Sequence, residues 1–180
     1  MGRPSQISGS CLCGAICYTV SFNEDQWPPR SDICQCTMCR KFTASLFPQM
    51  LTLKADQIHP SLSSFPSYQE FQSSLNRYRG FCSTCGSSLI WRSAGSDDFD
   101  LFLGTIDEKW LIGERVDGTE TSTPYGTAVG RQGGFINELC VPRGTNCYHE
   151  NTLPGVADCL PGGQKFPVTY TDKGSRPSGN

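Results

Sequence analysis

The sequence predicts a mainly β domain with few short helices, and three observations point to it. Short runs rich in β-branched and aromatic residues recur along the chain. Clusters of Gly, Pro, Ser and Asp separate them. No long stretch spaces its apolar residues with a helical period.

Taken in order, residues 15–22 (AICYTVSF) follow Gly14 and suit a strand entered from a tight turn. Residues 46–53, 76–81, 87–92 and 99–106 read as further strands; Pro48, which has no N–H to give, puts the first of these at a sheet edge or a bulge. Short helices are expected at residues 36–44, inside a cysteine-rich segment, and at 66–75, where the apolar spacing is weak. His59 beside Pro60 reads as a surface loop residue, and Asp97, Asp98 and Asp100 beside Gly95 and Ser96 as a solvated turn. Tyr78, Arg79, Trp91 and Trp110 read as core or strand-face residues rather than pocket walls. Residues 117–134 are mostly small and polar, and 171–180 read as a disordered tail. Residues 1–170 are expected to form a single domain, since 180 residues suit one and no fixed-period repeat is present.

Charge excludes some partners. With 15 basic and 17 acidic residues, the formal charge of -2 gives no positive field for a polyanion, so nucleic acid and a polybasic membrane contact are both disfavoured. No apolar run is long enough to span a bilayer, and residues 1–10 lack the apolar segment of a secretory signal. A cytoplasmic protein acting on a small molecule is the expectation.

Cysteine is the outlier. There are 11, an odd number, so they cannot all pair within the chain, and in a reducing compartment such thiols more often hold metal. Cys82-Ser83-Thr84-Cys85-Gly86 is a turn suited to two zinc thiolates, because the glycine that follows can take φ > 0 and bring backbone N–H groups to the sulfurs. Cys11-Leu12-Cys13-Gly14 is its natural partner, and together they supply the four thiolates of a closed tetrahedral site. Cys34, Cys36 and Cys39 offer three thiolates within six residues and no fourth from the same segment. Three protein ligands with one open position is the pattern of a catalytic zinc. A closed site completed by another cysteine, or a metal-free thiol cluster, remains the alternative. Arg40 and Lys41 follow the last ligand and could offset its negative charge while holding an anionic substrate group. Cys17, four positions after Cys13, is expected to pack as a small apolar residue. Cys140, Cys147 and Cys159 read as ordinary thiols or an adventitious disulfide, the alternative being a third metal site that includes His149. With two histidines in the chain, acid–base work by imidazole has few candidates, so Asp107 and Glu108 must be considered.

The order Gly9-Ser10-Cys11-Leu12-Cys13-Gly14, then Cys34 to Arg40, then Phe81-Cys82-Ser83-Thr84-Cys85-Gly86 resembles the glutathione-dependent formaldehyde-activating enzyme family, also called the GFA or CENP-V domain family. The resemblance covers roughly residues 8–107. It implies an Mss4-like β-rich fold, a structural zinc on Cys11, Cys13, Cys82 and Cys85, and a catalytic zinc on Cys34, Cys36 and Cys39. It also implies carbon–sulfur lyase chemistry, the founding activity being the reversible joining of glutathione and formaldehyde into S-hydroxymethylglutathione. Family members often carry histidine where this chain has Gln35, and a divergent segment from Glu108 onward replaces their short ending. Residues 105–110 resemble fungal members. Two other readings stay open: a zinc Lewis-acid enzyme of secondary metabolism that needs no glutathione, and a non-enzymatic zinc-binding interaction module.

Overall fold

A computed structural model describes residues 2–166. The expected tail at 171–180 lies outside the described residues. The chain forms β1 (Gln6–Ser10), β2 (Cys17–Ser21), β3 (Arg30–Cys34), α1 (Thr37–Thr43), β4 (Gln49–Lys54), β5 (Ile58–His59), β6 (Tyr68–Ser74), β7 (Arg77–Cys82), β8 (Ser88–Ser93) and β9 (Asp98–Phe102). After these come α2 (Glu108–Ile112), β10 (Glu114–Arg115), β11 (Thr121–Thr123), β12 (Gly126–Ala128), β13 (Arg131–Gln132), α3 (Ile136–Leu139), β14 (Thr145–Cys147) and β15 (Gln164–Lys165). Strands dominate and the helices are short, as the sequence predicts. No helix among the described residues is long and apolar enough to cross a membrane.

The main sheet runs β15-β14-β3-β4-β9-β8-β7-β6, and a smaller one runs β1-β2-β5. Alternation buries one face of each strand: Ile7 on β1, Tyr18 and Val20 on β2, Leu51 and Leu53 on β4, and Phe99 and Leu101 on β9 close over a shared core. That core also takes in Cys11 and Cys82, so the first thiol group is rooted in it. Residues 114–132 form two small ladders, β10–β13 and β11–β12.

Three expectations are corrected. Residues 66–75 are a strand, not a helix: β6 pairs antiparallel with β7 from Tyr68↔Cys82 onward, and cross-strand pairing outweighs a weak helical pattern. β4 is not an edge, because it starts just after Pro48 and lies between β3 and β9; Pro48 needs no N–H there, and its carbonyl accepts from Cys34 N at 3.1 Å. Asp100 is not in a turn. Asp97 and Asp98 are exposed, with Asp98 paired to Lys54 at 2.7 Å, whereas Asp100 stands within β9 opposite Thr52. The strand expected at 99–106 ends at Phe102 and passes into a single tight turn. His59 is exposed as expected, although it belongs to β5.

Candidate metal centres

The first group is built from two turns. Cys11 follows the last residue of β1 and Cys13 lies in the turn after it, while Cys82 closes β7 and Cys85 sits in the turn to β8. Gly14 at φ +75° and Gly86 at φ +78° follow the second cysteine of each turn, in a region where a side chain would be strained. Leu12 N donates to Ser87 Oγ at 2.9 Å and ties the turns together. The four sulfurs lie within 4.8 Å of one another, with Cys11 to Cys13 at 3.6 Å and Cys13 to Cys82 at 3.9 Å. Four thiolates at about 2.3 Å from one ion stand roughly 3.8 Å apart, so the sulfur spacing fits a tetrahedral metal. Hydrogen bonds prepare the donors as well: Ile16 N reaches Cys11 Sγ at 3.3 Å. The Ser87 hydroxyl, then its backbone N–H, lowers the Cys85 thiol to about 5.

The second group is built at the start of α1. Cys34 ends β3, Cys36 is the N-cap of α1 and accepts from Cys39 N at 3.3 Å, and Cys39 lies on the buried face of the helix. Their sulfurs also lie within 4.8 Å of one another, and the donor set suits a soft or borderline metal ion. Hydrogen bonds from the Cys34 and Cys39 thiols, joined by the Cys39 N–H and the Arg79 charge, hold Cys36 well below the usual thiol range. The bond from Cys34 to Cys36, then its bond to Cys39 and burial, push the Cys34 thiol up.

Around this group the structure places residues differently from one another. Gln35 is fully buried; its amide donates to Asn146 Oδ1 at 3.0 Å and Thr152 Oγ1 at 2.9 Å and accepts from Arg40 Nη2 at 3.2 Å. Arg40 also gives Nε to Leu46 O at 2.9 Å and Nη2 to Asn151 O at 2.5 Å, so much of its guanidinium is engaged with the protein. Lys41 is exposed. Cys17 does not pack inward: it is exposed, its thiol donating to Gly14 O at 3.1 Å. Asp107 accepts from Ser8 Oγ and Glu108 pairs with Arg131 at 2.6 Å, both bonds serving the fold.

Among the described residues only these two groups converge as a metal site would require, so Cys140, Cys147, Cys159 and His149 do not form a third. Yet Cys147 is not remote. β14 runs parallel to β3 with Cys147 in register with Cys34, and Gln35 N donates to Cys147 O at 2.9 Å. Tyr148 follows at φ 56°, an uncommon conformation for a bulky residue. Burial, then the charge of Cys36 and Cys34, makes its phenol hold the proton more tightly. Arg79 is buried within β7, as a core or strand-face residue should be, but sequence reasoning missed its contact with the thiol group, Nη2 3.5 Å from Cys39 Sγ. An arginine inside a strand leading into a cysteine turn was the available signal.

Comparison with known proteins settles the family. The sequence profile of the family described as "Glutathione-dependent formaldehyde-activating enzyme" matches residues 6–120, well over half the chain. The chain belongs to this family. Its GFA portion contains every residue of both thiol groups, whereas α3, β14 and β15, with Cys147 and Tyr148, lie beyond it. No curated protein matches the chain. A crystal structure of a Rhodobacter sphaeroides protein is similar at 17% identity and a TM-score of 0.44, over 57% of this GFA chain and 89% of that one.

Proposed function

We propose that the protein is a zinc-dependent carbon–sulfur lyase-like enzyme that adds a thiol to a small carbonyl compound and reverses the addition, with glutathione as the candidate thiol. The observation that supports this is the division of the sulfurs: four closed into two tied turns and three at a helix start with no fourth thiol in the group. Cys11, Cys13, Cys82 and Cys85 would hold a structural zinc, and Cys34, Cys36 and Cys39 a second one. When bound at three thiolates with an open position, zinc supplies Lewis acidity and keeps a thiol ionised at neutral pH.

The chain's own residues do the rest. The Cys39 N–H and the Arg79 guanidinium stabilise negative charge on the sulfurs, and Gln35 fixes the loop between the first two of them. In the addition step the thiol releases its S–H proton to solvent, an S–C bond forms as the C=O π bond opens, and the former carbonyl oxygen takes up one proton. Tyr148, which keeps its proton beside this cluster, is the proposed donor to that oxygen. Lys41 is the proposed partner for a substrate carboxylate, with Arg40 in support.

The test is to measure metal content and turnover together. Wild type should hold two zinc ions, and Cys34→Ser/Cys36→Ser/Cys39→Ser one, with its fold retained. NMR of glutathione and 13C-formaldehyde should show faster exchange with S-hydroxymethylglutathione only for wild type. Equal zinc content in both proteins would sink the second site, and zinc-bound wild type without exchange would sink the glutathione–formaldehyde pair. A second reading, a zinc Lewis-acid enzyme acting without glutathione, draws on β14: residues beyond the GFA portion line up beside Cys34 and could reshape the pocket.

A further inference from the structure

Arg79 on β7 is 2% exposed. Its Nη2 lies at Cys39 Sγ, Nη1 donates to Ser73 Oγ, and its guanidinium carbon stands 5.8 Å from the centre of the Phe42 ring. Its Nε is buried and donates to nothing among the described residues. No carboxylate pairs with this cation among the described residues. A buried donor without an acceptor is costly, and an orphaned one beside a cavity points to a missing ligand.

The same side chain lines a cleft of about 530 Å³ between α1 and strands β6, β7 and β8. Phe42, Phe71 and Phe81 form its aromatic wall, Phe71 meeting the other two edge-on at 5.9 and 6.2 Å. Phe71 is nevertheless 46% exposed and Met38 at the same rim 41%, apolar surface left in water. Lys41 stands at the rim, and among the described residues no acidic side chain lines the cleft.

We propose that this cleft binds a small molecule with one anionic group and an apolar, aromatic body, the anion lying against Arg79 and Lys41 and the body against Phe71 and Phe81. Charge supports one anion. Three thiolates with a divalent ion would carry one negative charge against Arg79, and among the described residues no carboxylate pairs with Lys41 at the rim. Because Arg79 touches Cys39, an anion on its other edge is held beside the second thiol group. This names the substrate class for the function proposed above and rests on that reading for the chemistry alone.

Calorimetric titration of the full, metal-loaded chain with 3-phenylpropionate, its neutral amide and acetate tests it. The carboxylate should bind at least about 10-fold tighter than the amide, and acetate more weakly than either. Lys41→Gln and Phe71→Ser, both at exposed positions, should each weaken 3-phenylpropionate about 3- to 10-fold with an unchanged circular dichroism spectrum. Arg79→Lys keeps the charge but loses the planar fork, and should weaken it about 10-fold. If that variant does not fold, Lys41→Gln and Phe71→Ser decide. Equal binding of carboxylate and amide, or no effect of both exposed substitutions, overturns the proposal. Cys36→Ser, which removes the proposed chemistry, should keep the preference for carboxylate. A protein without turnover thus still tests the cleft.

Discussion

Gln35 carries more of the structure than its place between two cysteines suggests. It joins the cysteine segment to Asn146 and Thr152, more than a hundred residues away in sequence, and to Arg40. Gln35→Ala leaves buried partners unsatisfied and should cost about 1–3 kcal/mol, read by urea denaturation. A second residue with leverage is Asp100. Thr52 Oγ1 is 2.9 Å from both Asp32 Oδ2 and Asp100 Oδ1, and one hydroxyl proton can serve only one of them. Asp32 also receives Arg30 Nε at 2.9 Å and Thr145 Oγ1 at 2.8 Å, so Asp100 is the one left to carry a proton of its own. Burial accordingly raises its carboxyl to about 7. The folded state then binds more protons than the unfolded one between pH about 4 and about 7. Stability from this group is full at the acid end and falls as pH rises through about 7, by roughly 2 kcal/mol after allowance for its partial exposure. Denaturation at pH 5 and pH 8 should show that Asp100→Asn reduces this difference; an unchanged slope would assign it elsewhere. Neither role was legible in the sequence, because both depend on which distant strand lies alongside.

At the scale of elements, the two thiol groups should respond differently to the same substitution. Cys82 is fully buried in the core and its group joins β1 to the β7–β8 turn, so Cys82→Ser should lower the melting temperature sharply or prevent folding. Cys36→Ser alters a helix start whose fold is also held by β3 and β4, and should shift melting far less. Differential scanning calorimetry with metal present separates the two. Gly86→Ala should cost about 1 kcal/mol although open space surrounds the position, because φ is +78° there. Both thiol groups were legible, since spacing and flanking glycines encode a ligand turn locally. So were β2, β4, β7, β8 and β9, whose β-branched and aromatic residues repeat near their own positions. β6 was misread because its Ser, Gln and Glu residues state no period of their own and β7 supplies the pairing. β3 went unseen because its sequence, Arg-Ser-Asp-Ile-Cys, is polar and is satisfied by partners on β4 and β14.

Across the whole molecule, metal binding should be coupled to pH. Thiolates must lose protons to coordinate, and Cys34 holds its proton tightly while Cys36 carries the charge. Loading the three-cysteine group should therefore release about two protons near neutral pH, and affinity should fall as pH falls. Titration in buffers of different ionisation enthalpy reads that release, and none would mean that the thiols are already ionised. The global frame was legible as a mainly β chain with a changed character beyond residue 112. What the sequence could not reveal is that the distant end of the described chain returns to the Cys34 segment. β14 pairs with β3 across a separation of 113 residues, as between Asp32 and Thr145. That separation sets an order in time. All sulfurs of both thiol groups lie before residue 86 and emerge early in synthesis, whereas β3 keeps an open flank until residues 145–147 emerge. The cysteine segment is thus born exposed and is covered late, so its thiols stay open to misassembly throughout that interval.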